Sequence, residues 1–514
     1  MTGRDAAGVG LRPPPFRAAA ALAVAALSVV PLWYVVEGLV SAGGGVVDLV
    51  WRPRVGELLG NTVMLVLATT AACLIVGTGA AWLVERTNLP GRPFWTALMV
   101  APLAVPAFVN SFGWTSLRPG LSGFGAAVLV TTLSYYPLVY LPIAAALRGT
   151  DPAYEETARS LGLGPWRAFA RATLPRLRPA ALGSALLVGL HLLAEFGAIQ
   201  SLRFDTFTTA IYDQYQSTFD GTGATALAGV LVLLCLLLLL GELRLAGPGR
   251  IARIGSGASR RPVPHRLGWP ARVAAAGGLL LVAAGALGVP LGMIGYWLTV
   301  SASTAFPVGD LLATAGSTLG LGLAGAAVTT LAALPVAWLA VRRPGWTSRI
   351  IERSTYVGNA LPGIVVALAL ITVAIRYLPG LYQTTVMLVA AYVTLFLPRA
   401  LVGLRSALAQ APPELDDVAR ALGTRPAAAL LRVTVPLIAR GAGAGAALVF
   451  LAVVTELTAT LLLAPIGTRT LATEFWSESS AIHYGAAAPY ALLMVVVSAP
   501  MAYLLTRGDH EATR

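Results

Sequence analysis

Residues 155–175 read EETARSLGLGPWRAFARATLP, and residues 416–436 read DDVARALGTRPAAALLRVTVP. Both begin with acids, continue through Ala-x-x-x-Gly, and place a proline thirteen residues after that glycine. The likeness extends well beyond these stretches. At an offset of 256, Gly60 meets Gly316, Thr62 meets Thr318, Trp82 meets Trp338, Arg86 meets Arg342, Pro106 meets Pro362 and Tyr136 meets Tyr392. After five extra residues in the second half the offset becomes 261, and Glu156 meets Asp417, Gly162 meets Gly423, Pro175 meets Pro436 and Glu195 meets Glu456. The chain is a duplication.

The rest of the chain is apolar. Of its 514 residues 57% are hydrophobic and 11% charged, with mean hydropathy +0.75, whereas a soluble domain carries roughly 25% charged residues. About twelve apolar runs are long enough to cross a bilayer. They lie near 18–40, 61–84, 95–115, 124–147, 180–200, 224–246, 272–298, 314–341, 356–375, 383–404, 441–463 and 485–506. Their length suits helices, not the alternating strands of a barrel. The first run follows Arg12-Pro-Pro-Pro-Phe-Arg17 and is too long for an ordinary signal core, so it reads as a retained helix.

The expected fold is an all-α polytopic membrane protein built from two parallel six-helix repeats, because an even number of crossings returns the chain to its starting side. Residues 1–246 form the first repeat, 247–270 a cytoplasmic linker rich in Gly, Pro, Ser and Arg, and 271–514 the second repeat. With the N-terminus in the cytoplasm, only Arg52, Arg54, Arg118, Arg203, Arg376 and Arg469 fall in outer loops. The other arginines then read as cytoplasmic. That asymmetry accounts for the +13 net charge without a nucleic-acid partner, for which no basic soluble domain exists.

Several chemistries are excluded. Lysine is absent, so the chain holds no Walker A loop and forms no Schiff base. GLGLAG at 320–325 matches a dinucleotide fingerprint but lies inside a span with no preceding strand. Cys73 and Cys235 lie in apolar runs and read as packing residues, with no metal spacing around them.

Both quoted stretches fall between the fourth and fifth spans, in cytoplasmic loops at 151–179 and 411–440. Asp151-Pro152 suits a helix start, and Gly162 and Gly423 suit its end. Pro165 and Pro426 then begin a second, amphipathic helix. Trp166, Phe169, Ala170 and Thr173 share one face of it, matched by Ala427, Leu430, Leu431 and Thr434, while Arg171 and Arg432 lie off that stripe. Pro175 and Pro436 close each stretch before the next span.

This pattern resembles the EAA loop of ABC importer permeases, although the second residue of the signature departs from alanine, being Thr157 and Val418. The resemblance covers residues 18 to 506 and implies the type I importer permease fold. It also implies that Glu156, Ala158, Gly162, Pro175, Asp417, Ala419, Gly423 and Pro436 couple the chain to two copies of a cytoplasmic ABC ATPase. ATP and magnesium would then bind that partner, and this chain would carry no cofactor, metal or catalytic residue. A periplasmic or lipid-anchored solute-binding protein and a bacterial inner-membrane location follow from the same resemblance, with both termini cytoplasmic. The stretches starting at Ala194, Thr455 and Leu361 are similar to fused ferric-iron permeases; fused thiamine and aminoethylphosphonate permeases share much of the pattern.

Inside the fifth spans, Glu195 and Glu456 are repeat-equivalent carboxylates. They either face a cation path or make a structural hydrogen bond. His191 lies one turn before Glu195, but its counterpart is Ala452, so no symmetric metal site follows. Asn110, Ser111 and Asn359 sit near Pro106 and Pro362, prolines that can kink a path-lining helix. The outer loops carry Tyr212, Asp213, Tyr215, Asp220, Glu474 and Glu478, each of which reads as an ordinary exposed residue. The rival architecture is an ion-coupled secondary transporter, whose halves can also be parallel six-helix repeats.

Overall fold

The computed structural model describes residues 15–41, 43, 50–151, 153–217, 221–246, 264–300, 307–412, 414–424, 428 and 430–511. Pro152, Asp220, Pro426 and Ala427 lie outside the described residues, as does most of the expected linker. Among those described, every regular element is a helix, apart from one isolated parallel bridge between Thr87 and His265.

Proline and glycine divide the apolar runs. Helices α1 (Pro15–Ser41) and α2 (Pro53–Arg86) are long; α2 starts with Pro in its first turn, where a missing N–H costs nothing. Helix α3 (Arg92–Val100) follows Gly91, whose φ of +76° suits a residue without Cβ. It passes through a 3₁₀ turn, and α4 (Ala107–Leu117) then leaves at 91°. Next come α5 (Gly123–Tyr135) and α6 (Pro137–Gly149), bent by 43° at Pro137. The first loop holds α7 (Ala153–Ser160) and α8 (Pro165–Ala168). Beyond it lie α9 (Arg178–Ala194), α10 (Gly197–Ser201), α11 (Phe207–Gln216) and α12 (Gly221–Ala246).

The second repeat runs in the same order. Helices α13 (Trp269–Ala283), α14 (Val289–Val300), α15 (Val308–Arg342), α16 (Trp346–Ala360), α17 (Gly363–Tyr377) and α18 (Thr385–Gln410) lead to α19 (Glu414–Ala421) in the second loop. They are followed by α20 (Val435–Val454), α21 (Thr458–Leu463), α22 (Leu471–Ser480) and α23 (Tyr484–Glu511). Eight of the described helical stretches are long and apolar enough to span a membrane. The two bent pairs, with the shorter apolar stretches 363–377 and 484–500, occupy the remaining expected positions.

The third spans depart from expectation. They are broken, not merely kinked. Val105 is extended before Pro106, as the residue before proline prefers, and α4 restarts with the Pro106 carbonyl accepting from Val109 and Asn110 at 3.0 Å each. Pro362 repeats this with Val365 and Val366 at 3.0 and 3.2 Å. The fifth spans break as well, after Ala194 and after Val454.

The described residues form two compact units that do not follow the repeats. One takes in the chain up to 34 with 320–359 and 369–453; the other takes in 35–319, 360–368 and 454 onward. In the second unit an aromatic cluster ties α4, α14, α22 and α23 together. Phe112 lies 5.4 Å from both Phe475 and Tyr484, and Trp297 lies 5.3 Å from Tyr484, ring centre to ring centre.

In the first unit α18 and α20 meet backbone to backbone. A Cβ at Gly403 would lie 2.6 Å from the Gly441 carbonyl oxygen, and one at Gly441 would lie 2.5 Å from the Ala407 Cβ. Small residues permit such approach where lipid offers no hydrophobic drive between helices. The first repeat carries Leu147 and Ala180 at these positions, so this contact belongs to the second repeat. Gly403→Leu is expected to destabilise the chain by about 1–3 kcal/mol through overpacking. Thermal unfolding in detergent would show it as a lowered midpoint; an unchanged midpoint would mean that the two helices do not depend on this contact.

Candidate functional site

Two features recur in both repeats: the loop between the fourth and fifth spans and the break in the fifth span. In the loops, α7 and α19 are short polar helices that end on glycines in the left-handed region, Gly162 at φ +86° and Gly423 at φ +79°. The N–H of Leu163 donates to the Ala158 carbonyl at 3.2 Å, and that of Thr424 donates to Ala419 at 3.0 Å. These six-to-one bonds define a Schellman close. Ala158 and Ala419 therefore supply the capped carbonyls, and the expected glycine ends are present.

The loop surface is partly as read. Glu156, Gly162 and Gly423 are exposed, while Ala158 and Ala419 are half-buried; the Asp417 side chain lies outside the described residues. Leu161 and Leu422, each just before its glycine, are 79% and 81% exposed. Sequence reading passed over them, although the same apolar residue at matching places off the amphipathic stripe is a visible signal. A protruding leucine thus directly precedes the left-handed glycine at each loop tip.

The amphipathic second helix is corrected. Helix α8 gives way at once to a π turn at Phe169–Thr173 and a 3₁₀ turn at Leu174–Leu177, which run into α9. The π turn changes the residues-per-turn count, so the buried face becomes Ala168, Ala172, Thr173 and Leu177, while Ala170 is exposed. The side chains of Trp166, Ala427, Leu430 and Leu431 lie outside the described residues, whereas Thr434 is buried. Pro175 and Pro436 do not terminate anything. Each sits in the first turn of a helical segment, the 3₁₀ turn and α20 respectively, where proline lacks nothing the turn needs.

At the fifth-span breaks, Glu195 and Glu456 are not mid-helix residues. Glu195 is extended, with ψ 124°, directly after α9. Its Oε1 accepts from the Ala198 N–H at 2.9 Å, and its other carboxylate oxygen accepts from the Tyr135 hydroxyl. Glu456 accepts from the Ala459 N–H at 2.8 Å, the Thr460 N–H at 2.9 Å and the Thr460 hydroxyl at 2.7 Å. Each carboxylate caps the short helix that restarts the chain, satisfying N–H groups that a break within lipid would orphan. Tyr135 and Thr460 belong to these sites and were not singled out from sequence.

The other path candidates separate. Asn110 is 1% exposed and donates to Ser134 Oγ at 2.9 Å, clamping α4 to α5 just beyond the Pro106 break. Ser111 bonds locally to Phe108. The Asn359 side chain lies outside the described residues. His191 Nδ1 meets the Leu187 carbonyl oxygen at 2.8 Å, and its ring lies 5.7 Å from that of Tyr135. Among the described residues, no three His, Cys, Asp or Glu side chains gather as metal ligands. On the outer helices, Glu474 pairs with Arg469 at 3.6 Å and Glu478 with His483 at 3.0 Å.

Arg399, counted with the cytoplasmic arginines, instead lies within α18, roughly three turns before its end. Its guanidinium stands over the Phe396 ring, 5.0 Å from the centroid.

Residues 77–245 and 329–509 each match the family described as binding-protein-dependent transport system inner membrane component. Two matches in tandem cover most of the chain, which belongs to that family and is a fused two-repeat transport permease crossing the membrane many times. It is 37% identical over 463 residues to the Fe(3+)-transport system permease protein FbpB 2 of Haemophilus influenzae, covering 90% of this chain and 92% of that one. Over shorter lengths it is similar to two Escherichia coli permeases. The sulfate permease CysT is 31% identical over 32% of this chain and 67% of its own; the molybdenum permease ModB is 29% identical over 31% and 80%. Membership of a permease family displaces the ion-coupled alternative.

Capping carries a measurable consequence. Glu456→Ala is expected to lower stability by about 0.5–2 kcal/mol, the ordinary worth of a helix cap, whereas Glu456→Gln, which keeps an acceptor, should lose less. Equal losses in chemical unfolding would argue that the charge, not the cap, holds α21.

Proposed function

We propose that this chain is the permease of an ATP-driven importer of ferric iron, served by two copies of a separate cytoplasmic ABC ATPase and by a periplasmic or lipid-anchored binding protein. ATP and magnesium bind the ATPase. Both termini lie in the cytoplasm, which keeps the arginine-rich loops and the two coupling loops on the side where the ATPase works.

The carrying observation is the matched pair of loop tips. Each presents an exposed leucine between a capped alanine carbonyl and a left-handed glycine. An apolar knob on a short polar helix is costly in water and suits a groove on a partner. Two repeat-equivalent knobs suit two copies of one partner. Closure of the ATPase pair on both loops would favour one arrangement of the spans, and hydrolysis would release it; each state must bind the ATPase differently for the cycle to run. The ferric cargo is supported by likeness along nearly the full length to a ferric-iron permease.

The test is reconstitution of the permease with its ATPase and binding protein in vesicles. Iron uptake should require internal ATP, and uptake of thiamine or aminoethylphosphonate should be absent. The double variant Leu161→Asp with Leu422→Asp should lower ATPase affinity roughly 30-fold or more, in the range of a hot-spot loss of about 2 kcal/mol or more at each tip. Unaltered ATPase recovery with this well-folded variant would remove the docking role.

A further inference from the structure

The chain between the repeats does not pass freely into the second one. At its far end, His265 pairs with the end of α2: its N–H donates to the Arg86 carbonyl at 2.7 Å, and its carbonyl accepts from the Asn88 N–H at 3.2 Å. The Asn88 side chain adds a third bond, accepting from the Leu267 N–H at 2.9 Å. Only the short run to Gly268 then separates this bridge from α13.

The His265 side chain points toward the first loop. Its ring lies 5.9 Å from that of Trp82, which in turn lies 6.1 Å from Phe169 in the π turn. Its Nε2 lies 3.8 Å from Oε2 of Glu155, a residue of α7 only 9% exposed. The other Glu155 oxygen accepts from Thr173, in the same π turn, and lies 4.0 Å from Arg86 Nη2. Glu155 thus joins both segments of the loop to the end of α2, and His265 covers the remaining oxygen. A carboxylate this buried is held by the groups around it.

We propose that residues 264–268 act as a strap that fixes the first coupling loop to the cytoplasmic end of α2, with His265 as a positioning residue for Glu155. The proposal rests on the docking role given above to the two loops. Because α13 follows directly, displacement of α7 pulls on the first span of the second repeat as well as on α9. Among the described residues, the second loop is held differently. Its own arginine, Arg342, instead bonds the Ala411 carbonyl at 2.9 Å. Among the described residues, the two loops are therefore held by different groups.

Hydrogen exchange on the purified full chain, without ATPase, tests the strap. In His265→Ala the amides of α7 should exchange roughly tenfold faster, as a locally released segment does, while those of α19 keep their rate. His265→Gln, which retains a donor at the Nε2 position, should restore most of the protection. In the reconstituted importer, solute delivered per ATP should fall roughly fivefold or more in His265→Ala and recover in His265→Gln. Unchanged exchange in α7, or an equal rise in α19, overturns the strap. So does faster α7 exchange with solute per ATP intact. Failure of the docking reading shows separately, as wild-type loops that gain no protection when the ATPase is added.

Discussion

A backbone group that loses its partner inside lipid has no water to turn to, and that constraint organises this protein. Four spans are interrupted, at Pro106, Pro362, Glu195 and Glu456, and each interruption carries its own remedy. At the prolines, the carbonyl that begins the next helix accepts two N–H groups. At the glutamates, the carboxylate caps the helix that follows. The breaks are thus closed locally, with donors of the restarting helices engaged at each one. Outside the spans the same economy recurs as capping boxes at Thr206–Thr209 and Thr470–Thr473, each adjoined by a threonine of the repeat's second span, Thr62 or Thr318.

Duplication supplied two copies of each device, and the copies have since diverged where their surroundings differ. Glu85 is buried and gathers Arg148 and Arg92 where α2, α3 and α6 meet. Its counterpart is Val341, and the second repeat draws α16 to α18 through Glu352 and Arg405. The second repeat also gains the glycine contact between α18 and α20, where the first carries Leu147. What remained alike is the loop tip: acids, alanine, leucine, left-handed glycine. The tips thus stayed alike while the packing around them diverged.

Much of this was legible because it is written in periodicity and repetition. Apolar run length located every span, and a glycine at a fixed distance from acids and proline located both loop helices. Less legible were features set by tertiary partners. Nothing local marks Glu195 as a cap; a glutamate in an apolar run reads equally as a path residue until the helix is seen to stop at Ala194. The π turn at Phe169–Thr173 shifted a face that a regular helix would have placed one residue away. His265 lay in a stretch whose composition reads as linker, and residues far back in the chain, from Trp82 to Asn88 and at Glu155, give it a place. Arg399 was assigned by counting charges toward loops, a rule that says nothing of an arginine held over a ring within its own span.

The capping role bears on how a cation would cross. A carboxylate offers about four acceptor positions, and Glu456 has three engaged by Ala459 and Thr460. Glu195 has two engaged by Ala198 and Tyr135. Glu456 thus keeps about one position and Glu195 about two, and any further ligand would share the carboxylate with the cap. Were these carboxylates to line a path, their commitment to the caps would weaken their hold on an ion, and conduction requires that an ion be able to leave. The family to which the chain belongs is described as binding-protein-dependent, so transport there involves a component besides the permease. The permease is left with the task that its breaks and loops are built for, changing between packed arrangements without exposing its backbone.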